Sequence, residues 1–196
     1  MKFRLLITTL LVVAVTASLI APAHPEEEQT DPHDGMTEAW AKLAEPGENH
    51  EWLGFLVGKW HADVKFWMGP GEPQISEGTS ETSWILGKRF LRTRYTGRME
   101  DKPFEGFATI GFNNITSEYQ SAWADEMSTA LVMASGKREK DVLTLKGVTN
   151  LPQMGKVPFR DVWTKVSQDE YTMEEFWTME GMGEMRVMAI TYKRIP

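Results

Sequence analysis

The 196-residue chain has no cysteine and only four histidines, and its 21 basic residues are outnumbered by 28 acidic ones. Without a thiol there can be no disulfide, no cysteine nucleophile and no lipid anchored at a cysteine. His24, His33, His50 and His61 make neither a His-x-His pair nor a His-Glu-x-x-His run, so no metal site is expected. None follows His61, which deprives a haem-binding barrel of a late axial histidine, and no cofactor is expected. A Gly-x-Ser-x-Gly elbow is also missing. The acid excess, a net charge of −7, repels nucleic acid and anionic headgroups at long range, so neither is an expected partner. Finally, no helical run of ten residues follows Leu56, which argues against crossover connections and a parallel sheet.

What is present begins with an address. Lys2 and Arg4 precede an uncharged, largely apolar run over residues 5–20, and Ala21-Pro22-Ala23 supplies a small-x-small cleavage pattern. Residues 1–23 therefore read as a secretory signal peptide, with a secreted or periplasmic product that has no membrane association once cleaved. Loss of Lys2 and Arg4 takes the net charge from −7 to −9. Residues 24–35, HPEEEQTDPHDG, are acidic and lack an apolar period, the composition of a disordered tether. Residues 36–196 are then one domain, large enough to build its core without disulfides.

Within that domain the period changes once. Trp40, Leu43 and Ala44 recur at helical spacing over residues 36–44, a short helix stopped by Pro46-Gly47, and a second helical turn is read over residues 51–56. Such a helix is expected across one end of the fold. From Gly58 the period becomes two. Trp60, Ala62, Val64 and Phe66 alternate with His61, Asp63 and Lys65, the first of about ten such segments up to Arg194, almost every one closed by a Gly, Pro, Asn or Asp cluster. Gly87-Lys88 reads as a two-residue hairpin turn, and Lys140-Asp141 as another. Glycines inside strands suit the bends that close a sheet on itself. The expected fold is all-β: a single antiparallel meander β-barrel with a short N-terminal helix.

Several short motifs occur in a telling order. They are Leu56-Val57-Gly58-Lys59-Trp60, Leu86-Gly87-Lys88-Arg89-Phe90-Leu91, Phe104-Glu105-Gly106, Ile110-Gly111-Phe112-Asn113, Trp123-Ala124-Asp125 and Ile190-Thr191-Tyr192-Lys193-Arg194. In these the chain, over about residues 51–194, resembles the bacterial domain-of-unknown-function family 1579. The resemblance implies a lipocalin-like, or calycin-like, barrel and no settled activity. Gly58-x-Trp60 at the barrel entrance is also similar to lipocalins.

Candidate site residues follow from which strands carry unusual chemistry. Trp60, Trp84, Trp123, Trp163 and Trp177 come from five different segments and either fill a core or line an apolar pocket. Arg92 and Arg94 share a face with Phe90. Either that face meets solvent, or the guanidinium groups enter the lumen and need a carboxylate or an anionic ligand there. Glu81, Asp125, Asp161 and Glu175 are partners of the right charge. Met179, Met182, Met185 and Met188 recur every third residue, but a step of three swaps faces in a strand, so Met185 and Met188 are expected to point oppositely and fill core rather than hold Cu(I).

The leading reading is non-covalent binding of a small hydrophobic or amphipathic molecule, with Trp60, Trp84, Trp123, Trp177 and Glu175 around it and Arg92 or Arg94 orienting an anionic group. A structural or protein-interaction module with a filled barrel is the alternative. An enzyme using Asp125 or Glu175 as a lumenal general base is the less favoured third. Terminal sequencing of the exported protein should return His24 as the first residue; Met1 would refute the cleavage reading.

Overall fold

The computed structural model describes residues 32–99 and 102–196, with side chains from residue 35 onward. The expected signal peptide and most of the expected tether lie outside the described residues. Helix α1 (Pro32–Leu43) starts inside the stretch read as tether, with Pro32 as its first residue, a position where proline's missing N–H costs nothing. Helix α2 (Glu48–Trp52) follows, its histidine turned inward so that Gly47 N–H donates to His50 Nδ1 at 3.1 Å. A 3-10 turn (Leu53–Leu56) then feeds the first strand.

Ten strands are described: β1 (Gly58–Phe66), β2 (Gln74–Ile85), β3 (Phe90–Met99), β4 (Lys102–Asn113), β5 (Glu118–Asp125), β6 (Val132–Glu139), β7 (Val142–Leu151), β8 (Gly155–Lys165), β9 (Glu170–Met179) and β10 (Gly183–Arg194). Each pairs antiparallel with its neighbours in sequence, and β10 returns to β1, closing the barrel. The alternation read at β1 is the observed one. Trp60, Ala62 and Val64 are buried inside, while His61, Asp63 and Lys65 face out.

The turns explain where strands stop. The β2–β3 connection spans Leu86 to Arg89 rather than the two residues expected, because Ile85 pairs with Phe90 and Leu86, Gly87 and Lys88 all take positive φ. Lys140-Asp141 is the two-residue turn anticipated, between paired Glu139 and Val142. A bulge at Val187 overturns the expectation for the methionines. It shifts the register so that Met185 opposes Trp177 and Met188 opposes Glu175, which places both methionines on one face.

One end of the lumen is packed shut. Leu53 and Leu56, under α2, meet Trp60, Leu91, Tyr119, Leu143, Tyr171 and Tyr192, all buried. Tyr171 lies edge-on to Trp60 at 4.7 Å and stacks on Tyr192 at 4.3 Å. It is α2 and the 3-10 turn that cover this end. Helix α1 covers less than expected: Met36, Trp40 and Leu43 stay exposed, and Asn114 Nδ2 ties its last turn to the barrel through the Leu43 and Glu45 carbonyls, at 2.8 and 2.9 Å.

Trp60 and Arg194 are a directly opposed cross-strand pair that locks the seam. The Arg194 guanidinium sits 4.1 Å over the indole. It donates to the Val57 carbonyl (2.9 Å), the Gln168 carbonyl (2.8 Å) and Asp169 Oδ1 (3.0 Å). The indole N–H donates to the Leu56 carbonyl at 2.9 Å. Gly58 leaves room for this arrangement, with φ of +132° and the guanidinium where a Cβ would stand. Trp60→Ala should therefore cost about 3–5 kcal/mol in urea unfolding, and Gly58→Ala more than about 1 kcal/mol. Trp40→Ser, on the uncovered helix, should stay within about 0.5 kcal/mol of the parent.

Candidate functional site

The far half of the lumen, away from α2, is lined differently. By register Trp123 and Asp125 on β5, Asp161 on β8, and Glu175 and Trp177 on β9 all point inward. Though they face the lumen, Phe104, Trp123, Asp125, Val132, Glu175, Trp177 and Met188 are only half-buried. At the helix end Leu53, Leu56, Trp60, Tyr171 and Tyr192 are buried, although Phe112, Arg138 and Trp163 there keep some exposure. Solvent therefore reaches side chains inside the barrel at the end opposite the helices.

Asp161 and Glu175 are directly opposed across β8 and β9, which puts their Cβ atoms roughly 4.5–5.5 Å apart. Two like charges at that separation in a desolvated wall cannot both be held cheaply. Burial pushes the Asp161 carboxyl well above the usual carboxylate range, and the charge on Glu175 adds to the effect. Burial raises Glu175 as well, opposed by the Trp177 indole N–H, which donates to Glu175 Oε1. Both carboxyls are thus pushed toward their protonated forms, Asp161 the more strongly, and the pair holds protons more tightly than free carboxyls do. Asp161 Oδ1 is out of contact with solvent and has no hydrogen-bond partner. A second indole copies the arrangement: Trp123 Nε1 donates to Asp125 Oδ2 at 2.7 Å, two residues along the same strand. In both cases the carboxylate fixes the ring edge.

The inward-facing cations sit elsewhere. Arg138, Lys165 and Arg194 occupy the helix end, packed on Trp52, Phe55 and Trp60 respectively. In the far half Lys102, at the exposed start of β4, is the one described lysine or arginine whose register faces the lumen.

The sequence-expected site therefore divides. Trp123, Glu175 and Trp177 all face the far half of the lumen. Trp60 is fully buried in the seam and can wall nothing. Trp84 packs at the helix end, against Gly54. Arg92 and Arg94 are corrected to the outer face: β3 turns Leu91, Thr93 and Tyr95 inward, so its arginines must point out. Arg94 pairs there with Glu105 and is 58% exposed, with Phe107 under its guanidinium at 5.9 Å. Phe90 on that face is exposed too. An anionic ligand in the lumen gains nothing from either arginine. The residue underweighted in the sequence is Asp161. Its signal was the inward parity it shares with Phe159 and Trp163.

Sequence reasoning also missed a group on the outer wall, where His61, Asp63 and Glu77 bring one ligand atom each within 4.8 Å of one another. The signal was His61-x-Asp63, opposite Glu77 on β2. Lys193 Nζ already occupies Asp63 Oδ2 at 3.1 Å and would have to leave for a cation. Asp63 also borders a cleft of about 470 Å³ shared with Trp67, Glu72 and Arg186, and a second of about 390 Å³ runs beside Asn49, Tyr119 and Arg138. Neither includes the lumen carboxyls.

Since the carboxyl pair binds protons more tightly folded than unfolded, stability should fall as pH rises from the unfolded carboxylate range, about 4, through the raised folded values. Asp161→Asn should remove most of that slope, so that the variant outlasts the parent in urea at pH 7.5 but not at pH 4. Equal pH profiles would show that the pair carries no strain.

The family model described as "Protein of unknown function (DUF1579)" matches residues 45–194, most of the chain. No curated protein sequence matches it. Among solved structures, the crystal structure of Rv2717c from M. tuberculosis is similar at TM-score 0.56 and 15% identity, covering 78% of this chain and all of that one. An S-type phycobiliprotein lyase, CPES, from Guillardia theta is similar at TM-score 0.54 and 9% identity, over 77% of this chain and 99% of that one. At these identities the likeness is one of fold, a lipocalin-like or calycin-type barrel. The chain belongs to the DUF1579 family.

Proposed function

We propose that this DUF1579 protein binds a small, partly apolar molecule non-covalently in the far half of its lumen, and that it does so outside the cytoplasm after export. One observation carries the binding reading. Asp161 Oδ1 is a buried polar atom without a partner, set among rings that still meet solvent. A polar group left unpaired inside a protein costs about 1–3 kcal/mol, and apolar walls with a few placed polar groups are the usual make-up of a ligand site. The similar fold of a protein titled a phycobiliprotein lyase is in keeping with a barrel that binds a ligand. Export rests on the signal-like first 23 residues.

Catalysis is less well supported. Asp161 opposite Glu175 is a carboxyl pair of the kind that can exchange protons with a substrate, but apart from Lys102 at the rim no described cation faces them to stabilise developing negative charge. A protein-interaction role is favoured by a separate feature, the exposed Met36, Trp40 and Leu43 of α1. Under that reading Trp40→Ser abolishes association and lumen probes have no effect.

The test is a titration with neutral 1-naphthalenemethanol, followed through the indole N–H resonances. Those of Trp123 and Trp177 should shift saturably while that of Trp60 stays fixed. Removing a ring wall forfeits about 1.5–3 kcal/mol of apolar contact, so Trp123→Ala or Trp177→Ala should weaken binding by roughly tenfold or more. No saturable shift at either indole would sink the lumen site.

A further inference from the structure

We infer that the molecule the lumen takes is an amine: a compact apolar body carrying a cationic, hydrogen-bond-donating head. This rests on the binding site proposed above and specifies its chemistry. Asp125, Asp161 and Glu175 face the far half of the lumen, whereas the arginines that would have selected an anion lie outside the barrel. Carboxyls only accept hydrogen bonds once ionised, so their natural complement is a donor with positive charge.

The indoles make the same choice. Trp123 and Trp177 have their N–H groups occupied by Asp125 and Glu175. What each still offers is its electron-rich face, which attracts a cation and gives nothing to an anion. Asp161 supplies the remaining element. Its partnerless Oδ1 can take a donor directly.

Charge balance couples this binding to protons. An ammonium set between Asp161 and Glu175 favours ionisation of both, so a proton held by the pair leaves to solvent as the head docks. Other ionisable groups face the same space. Tyr95 and Tyr192 are held neutral by burial, Asp125 is tied to Trp123, and Lys102 stands at the exposed rim. Amine affinity should therefore climb with pH through the range in which Asp161 ionises.

Three probes of one shape separate this inference from the site beneath it: 1-naphthylmethylamine, 1-naphthalenemethanol and 1-naphthoate, titrated calorimetrically at pH 7.5 and fixed ionic strength. The amine should bind at least about tenfold more tightly than the alcohol, with naphthoate weakest. Glu175→Gln and Asp161→Asn, each first shown to fold, should erase most of the amine's advantage over the alcohol when both probes are titrated into the same variant. Repeating the amine titration in buffers of different ionisation enthalpy should show proton release. An alcohol or naphthoate as tight as the amine, or an advantage that survives both substitutions, would overturn the inference while leaving the site standing. If none of the three binds, the lumen site and the inference fall together.

Discussion

The fold depends on one cation over one ring. Arg194, nearly the last residue, lies on Trp60, nearly the first of the sheet, and its remaining donors hold the entry turn and the β8–β9 connection. A closed barrel needs one pairing between strands remote in sequence, and loop-closure entropy opposes that pairing more than any other. A planar guanidinium suits the place because it can stack and donate along several directions at once. Lysine could satisfy the charge but not the geometry. With the seam fixed, α2 is anchored over the packed end, and the open end is left on the opposite side.

Polarity then follows from which strands bring charge inward. Arginine and lysine stems lie on aromatic rings at the helix end, where their heads still reach carbonyls or solvent. The carboxyls collect at the other end, where two of them are steadied by indole N–H groups. A barrel built only for stability would replace Asp161 and Glu175 by apolar residues of similar size, since a buried like-charged pair is among the costlier features of a core. Their presence is better explained by a task than by the fold.

The β1 alternation, the turn at Lys140-Asp141, the meander order and the family were legible because each rests on local patterning that the barrel uses directly. Arg92 and Arg94 were ambiguous for a physical reason. β3 alternates Leu91 and Tyr95 against Phe90 and two arginines, and a period of two identifies two faces without saying which is inside. That was settled by β4 and β2, whose Ile110 and Ser80 meet Leu91 and Tyr95. The methionines failed differently, since a bulge such as that at Val187 changes parity and leaves no mark in composition. Asp161 was hard to rank because its importance comes from Glu175 on the next strand, and cross-strand neighbours are invisible until register is known.

The pairing of β1 with β10 has a consequence for how the chain is made. Because synthesis runs from the N-terminus, β1 has no partner on one side until the final twelve-residue strand has emerged. Until then the nascent protein carries an open edge and a tryptophan without its arginine. Folding is slow by nature where such long-range contacts dominate. The same delay exposes β1 to wrong partners, and the exposed Lys59 and Lys65 on its outer face are the kind of charge that discourages them.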